Sequence, residues 1–216
     1  MFHDIGRVEA NTFPWSGNVD IARQALDPSL IAELDFPSYL EAEYRSALAE
    51  VPALTGSVSA DRNEHRMREI CYLFLTRFLP TLLDRLDRLS MASGLEVRVP
   101  YGDHRLVEYV FGSPWAHKSF DSREKSLLRA ASADLLPRSV VQRVKSVLPS
   151  IQDPHYYDML RTRFIALLND RNAAIRPLLS VNGSRGLLNA ADNVRWTQNI
   201  LALQDFLADY KVSLAL

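Results

Sequence analysis

The chain has 216 residues, 47% of them hydrophobic, with 25 basic and 26 acidic side chains and a formal net charge of -1. That balance gives no electrostatic reason to expect a nucleic-acid backbone or an anionic membrane surface as partner, and the length suits one sizeable core. A lone cysteine, Cys71, excludes an intrachain disulfide and lies in an apolar run that suits a buried, inert thiol.

In chain order, "MFHDIGRVEA" has neither the basic start nor the apolar stretch of a signal peptide. Residues 1 to 20 read as mixed and turn-rich, and Pro28, Pro37 and Pro52 punctuate short helices. From Asn63 to Leu79, the residues Met67, Ile70, Cys71, Phe74, Phe78 and Leu79 recur at helical spacing, and Pro80 is expected to kink or end that helix. A second stripe, Leu82, Leu83, Leu86 and Leu89, runs towards Met91, with Gly94 as the breaker. Glu96 to Pro100 reads as a short extended piece, with Glu96 and Arg98 facing one way and Leu95, Val97 and Val99 the other. Asp103 suits a helix N-cap, and Asp121 with Glu124 has capping-box spacing before "SREKSLLRAASADLL". Pro137 opens a short helical turn through Val141. Amphipathic stretches follow at Tyr156–Leu168 and Ala190–Tyr210, separated by "SVNGSRG", residues 180 to 186, as the clearest loop. No run of about 18 apolar residues predicts a spanning helix. The expected fold class is mainly α-helical, as one region over residues 1–216, and the expected compartment is the cytoplasm.

Several chemistries find no support. The histidines His3, His65, His104, His117 and His155 form no pair at three or four residues, against a zinc site on one helix. No serine sits in a Gly-x-Ser-x-Gly turn, and "NGSRG" lacks the lysine of a phosphate-binding loop. Two stretches stand out instead. In "DRLSMASGLEVRVPYGDHRLVEYV", residues 87 to 110, Glu96 and Arg98 are placed to pair with each other or with Asp87, Arg88 or Asp103. They would form either a buried salt-bridge network bracing the corner or the polar wall of a substrate pocket. In "LLPRSVVQRVKSVLPSIQDP", residues 135 to 154, Arg143 and Lys145 sit two apart before an irregular segment. A lysine there is either a solvated surface charge or a cation that neutralises charge on a phosphoryl group.

Together these stretches resemble the C-terminal part of the synthetase domain of class B, glutamine-hydrolysing asparagine synthetases. The first matches the family's Asp-Arg-Met-Ser-Met-Ala and Leu-Glu-x-Arg-x-Pro elements. The second, "KSLLRAASADLLPRSVVQRVKS", matches its lysine, leucine-leucine-arginine, leucine-proline and Arg-x-Lys elements, and the two cover about residues 75 to 155. The opening "FHD" looks like the segment after the family's acidic Gly-Gly-Tyr loop. The family's Ser-Gly-Gly-x-Asp-Ser pyrophosphate loop, its acidic magnesium loop and its glutaminase cysteine have no counterpart here. The chain is therefore expected to be the helical C-terminal portion of a longer α/β domain of the adenine-nucleotide α-hydrolase type.

What the resemblance implies is an ATP- and magnesium-dependent ligase. Aspartate forms a β-aspartyl-AMP, and ammonia from glutamine, released by an amidotransferase domain, displaces AMP to give asparagine. Lys145 falls on the catalytic lysine, with Arg143 supporting it. Glu96, Arg98 and Asp103 belong to the pocket wall or its bracing, and Asp87 and Arg88 are structural. Tyr101-Gly102 replaces the usual Phe-Leu, and Ser146-Val147-Leu148 follows the lysine, so loop shape bears on substrate choice. No ATP or magnesium is expected on this chain alone, which would self-associate or dock with the nucleotide-binding part. The alternatives are a non-catalytic helical interaction module, or a relative that closes β-lactams or cyclises peptides.

Overall fold

The computed structural model describes residues 23–53, 61–144, 146, 153–189 and 194–214. The turn-rich expectation for residues 1 to 20, the "FHD" segment and the role assigned to Lys145 lie outside the described residues. The described residues are mostly helical, with an isolated antiparallel bridge between Leu26 and Leu179. They fall into two compact units, one drawn from residues 42–53, 61–144 and 146, the other from residues 23–41, 153–189 and 194–214.

After a helical stretch at residues 23–25 come α1 (Pro28–Glu33) and α2 (Phe36–Ala49). Asp27 caps α1 by accepting from Ser29 N, and Pro28 fits the first turn, where no intrahelical donor is needed.

The first unit is organised on α3 (Arg62–Leu73). Asp61 caps it, accepting from Asn63 N at 2.8 Å and Glu64 N at 3.4 Å. Met67, Ile70 and Leu73 are buried at the helical spacing, and Leu73 packs with Tyr44, Ala47 and Leu48 of α2. The helix does not end before Pro80. It widens into a π-helical stretch, Phe74–Phe78, and continues as α4 (Leu79–Ala92) with Pro80 in its first turn. Leu79 N donates to Phe74 O five residues back, and Thr76 Oγ1 bonds Tyr72 O at 2.9 Å. A proline ring clashes with the carbonyl four residues earlier and lacks an N–H, and the wider turn relieves both.

Gly94, at φ +70, ends α4 as expected. Gly94 N donates to Met91 O and Leu95 N to Ser90 O, each at 2.9 Å, the paired bonds of a left-handed C-cap. Residues 95–99 have no regular structure, and a tight turn, Pro100–Gly102, leads into α5 (His104–Gly112). A short helix, α6 (Trp115–Lys118), is anchored by Glu64, a buried carboxylate whose two oxygens accept from Trp115 N at 2.6 and 2.8 Å. The helix expected to open at Asp121 begins later, as α7 (Ser126–Ala131), because Ser122 and Lys125 both adopt φ 60. After it comes α8 (Arg138–Val141), opened by Pro137 as its sequence predicts.

The second unit packs α9 (Pro154–Asn169), α10 (Val181–Gly186) and α11 (Val194–Asp209). Leu160, Phe164 and Leu168 of α9 meet Ile200, Leu201 and Leu207 of α11 in its core. The segment read as the clearest loop, residues 180 to 186, is helical instead. Ser180 caps it by accepting from Gly183 N, and the buried Ser184 hydroxyl donates to Ala25 O at 2.9 Å. Asp153 caps α9, one turn earlier than the apolar spacing alone marked. Of the expected 190–210 helix, Val194–Asp209 is seen, and residues 190–193 lie outside the described ones.

Candidate functional site

A cavity of about 350 Å³ lies between α7, α8 and the segment after α8. Leu128, Leu136, Val140 and Val144 give it an apolar wall, while Lys125, Arg129, Arg143, Ser132 and Ser146, with the Glu124 carboxylate, supply polar groups. Mostly apolar lining with a few convergent polar groups is the usual make-up of a small-molecule site.

The residues around it are held by specific bonds. Asp121 accepts from the Ser126 hydroxyl and from Arg123 N and Nε at 3.1 and 2.7 Å, and Ser126 is fully buried. The Ser126 bond, aided by Arg123, holds the Asp121 carboxyl down to about 2 against an opposing effect of desolvation. This knot closes the turn that sets Lys125 at the head of α7 in a left-handed conformation, a region costly for a residue with a side chain. Lys125 is exposed and makes no ion pair among the described residues.

Arg129, one turn further along α7, bonds backbone rather than solvent. Its Nε donates to Glu124 O at 3.0 Å, Nη1 to Val141 O, and Nη2 to Arg143 O at 2.9 Å and to the Glu124 carboxylate at 2.7 Å. Arg143 Nη2 donates in turn to Ser146 Oγ at 3.1 Å. Lys145 itself lies outside the described residues, but its neighbours Val144 and Ser146 both line the cavity.

The other candidates sit elsewhere. Glu96 and Arg98 pair with each other at 2.8 Å with side chains 66% and 82% exposed. Arg88 pairs with Asp84 at 2.8 Å, four residues away on α4. Asp103 caps α5, accepting from Arg105 N at 2.9 Å, and its carboxyl is lowered by the Arg105 side chain. The buried network expected to brace this corner is thus replaced by exposed local pairs, and Glu96, Arg98 and Asp103 do not line the cavity. Adjacent residues satisfy these charges more cheaply than burial would. Arg143 is the sequence-named side chain that the cavity contains. Lys125 and Arg129 were given no role by the sequence. Their signal was present in the "KSLLR" element, but nothing in spacing reveals that Arg129 reaches residues 12 and 14 further on.

Cys71 is half-buried on α3, and burial raises its thiol, in line with an inert role. No group of three or more His, Cys, Asp or Glu side chains suited to a metal occurs among the described residues.

A family profile described as asparagine synthase matches residues 2–211. The chain belongs to the asparagine synthase family. The match takes in both structural units and reaches well beyond the motif-bearing residues 75 to 155. The chain is also 37% identical over 167 residues to a Bacillus subtilis protein named asparagine synthetase [glutamine-hydrolyzing] 3. That alignment covers 77% of this chain and 27% of the relative, so the chain spans about a quarter of that protein's length. No helix among the described residues is long and apolar enough to cross a membrane.

Proposed function

We propose that this chain is the C-terminal part of an ATP-dependent ligase that converts aspartate to asparagine, and that the cavity between α7 and α8 is its share of the active site. The observation that carries this reading is the grouping of Lys125, Arg143, Val144 and Ser146 around one cavity in a chain of this family. Of the three basic side chains that line the cavity among the described residues, Arg129 is paired with the lining carboxylate of Glu124, while Lys125 and Arg143, with serine hydroxyls against an apolar wall, fit a phosphoryl group. Magnesium, for which the described residues offer no cluster, would arrive with the nucleotide and supply charge neutralisation on its phosphates.

In this reading a carboxylate oxygen of aspartate attacks the α-phosphorus and the bond to pyrophosphate breaks, giving β-aspartyl-AMP. Ammonia derived from glutamine then attacks the acyl carbon, a proton is lost and AMP leaves. Lys145 is the cation that meets the negative charge developing on the α-phosphoryl oxygens and on the tetrahedral carbon. Arg143 orients that segment through Ser146. Glu96, Arg98 and Asp103, which do not line this cavity, serve the pocket wall or its bracing in the complete enzyme. The rest of the α/β domain, with the pyrophosphate loop, comes from the part of the synthetase outside this chain, and the reaction belongs in the cytoplasm.

The test is aspartate-dependent exchange of pyrophosphate into ATP, measured with the nucleotide-binding region of the synthetase supplied. Exchange that requires aspartate supports the assignment. Exchange that requires a different carboxylate would move the chain to the β-lactam- or peptide-cyclising branch, and none with any carboxylate would favour the non-catalytic module.

A further inference from the structure

We infer that Arg129 is a positioning residue for the adenylation step: through its bonds to the Val141 and Arg143 carbonyls it sets the main-chain path of residues 141 to 144 beside the cavity, whose wall it also joins. The inference rests on the ligase reading above.

An arginine offers five N–H donors in a rigid planar fork. The Arg129 fork is spent on the protein itself, and its side chain is only 14% exposed. Its bonds join three segments: Glu124 in the turn before α7, Val141 at the end of α8, and Arg143 beyond it. The Val141 carbonyl belongs to the last turn of α8, where the helix leaves its carbonyls without partners, so a guanidinium there also caps the helix. Beyond that cap the chain has no regular structure at 143 and 144, and the Arg143 carbonyl has the Arg129 Nη2 bond at 2.9 Å to fix its direction. Both acceptors are backbone oxygens. What Arg129 specifies is therefore the course of the chain on the N-terminal side of residue 145, whatever side chains it carries.

Glu124 completes the device. Its carboxylate accepts from the same Nη2 that bonds Arg143 O, which fixes the guanidinium plane and offsets its charge. Lysine could keep the charge and one donor direction but could not serve Val141, Arg143 and Glu124 together. A group that acts by holding catalytic cations in place should lower turnover more than substrate affinity, because misplacement by about 1 Å is felt most in the transition state.

The experiment compares wild type, Arg129→Lys and Arg129→Ala in the pyrophosphate-exchange assay, with hydrogen exchange and thermal unfolding of the chain alone. Arg129→Lys is expected to stay folded, to lose about 30-fold or more in kcat, and to hold its aspartate KM within about threefold. Guanidinium ion added to Arg129→Ala at millimolar concentration should restore at least a tenth of the lost rate. In the chain alone, the amide protons of Gln142 and Arg143, which donate to Arg138 O and Val140 O, should exchange at least tenfold faster in Arg129→Lys, with α9 unchanged. Wild-type kcat in Arg129→Lys, or a loss that falls wholly on KM, would overturn the inference. If no form of the wild type supports exchange, the ligase reading fails by itself. The amide measurement then decides alone: unchanged protection at Gln142 and Arg143 means that Arg129 does not set this path.

Discussion

Asp121 gathers the Ser126 hydroxyl and the Arg123 side chain and amide, and these donors hold its carboxyl at about 2, below its ordinary 3.8. A carboxylate depressed on folding adds stability that is fully present above its unfolded value and is lost as pH falls through the folded one. Asp121→Asn should therefore be less stable than wild type at neutral pH, and the gap should close between about pH 4 and about pH 2. Thermal unfolding as a function of pH checks this, and a gap independent of pH would remove Asp121 as its source. The sequence marked Asp121 as a capping residue from its spacing to Glu124, yet its partners are Arg123 and Ser126. Spacing registers that an acid precedes a helix. It does not register that Ser122 and Lys125 turn left-handed and delay the helix by a turn. The same blindness hid Lys125, whose place at the cavity follows from that turn.

Among the elements, α3 and α4 were legible because their apolar residues keep a helical period, and the break at Gly94 because a left-handed residue favours glycine. Residues 180 to 186 were not. Gly183 and Gly186 suggested a loop, while the observed role of Gly183 is close packing: a Cβ there would lie 1.7 Å from the Gln24 carbonyl oxygen. That approach joins residues far apart in the chain and leaves no local mark. Gly183→Ala should destabilise the second unit by about 3 kcal/mol or more, since backbone rather than a mobile side chain must give way. Chemical denaturation followed by the fluorescence of Trp196, which packs on that unit's core, would check this, and an unchanged midpoint would mean that the segment relaxes at little cost.

At the scale of the whole molecule, the family match over residues 2–211 coincides with an incomplete burial of apolar side chains. Along α4, Leu82, Leu86 and Leu89 form one stripe and all are exposed, the last at 61%, and Tyr109 on α5 is exposed at 75%. Amphipathic periodicity marked the stripe as apolar, while in the structure it lies on the surface, and spacing carries no mark of that exposure. Exposed apolar surface of this kind favours association, so the isolated chain should self-associate as its concentration rises. Light scattering that returns a strict monomer at high concentration would contradict this. The proposed chemistry also belongs to this scale, because the cavity gathers cations from the turn before α7 and the segment after α8, while in that proposal the attack on phosphorus needs the rest of the synthetase. The most direct measurement is aspartate-dependent ATP–pyrophosphate exchange by the complete synthetase carrying Lys145→Ala beside wild type. A cation that meets the developing phosphoryl charge predicts a loss of about 100-fold or more with the fold intact, and an unchanged rate would remove Lys145 from the reaction.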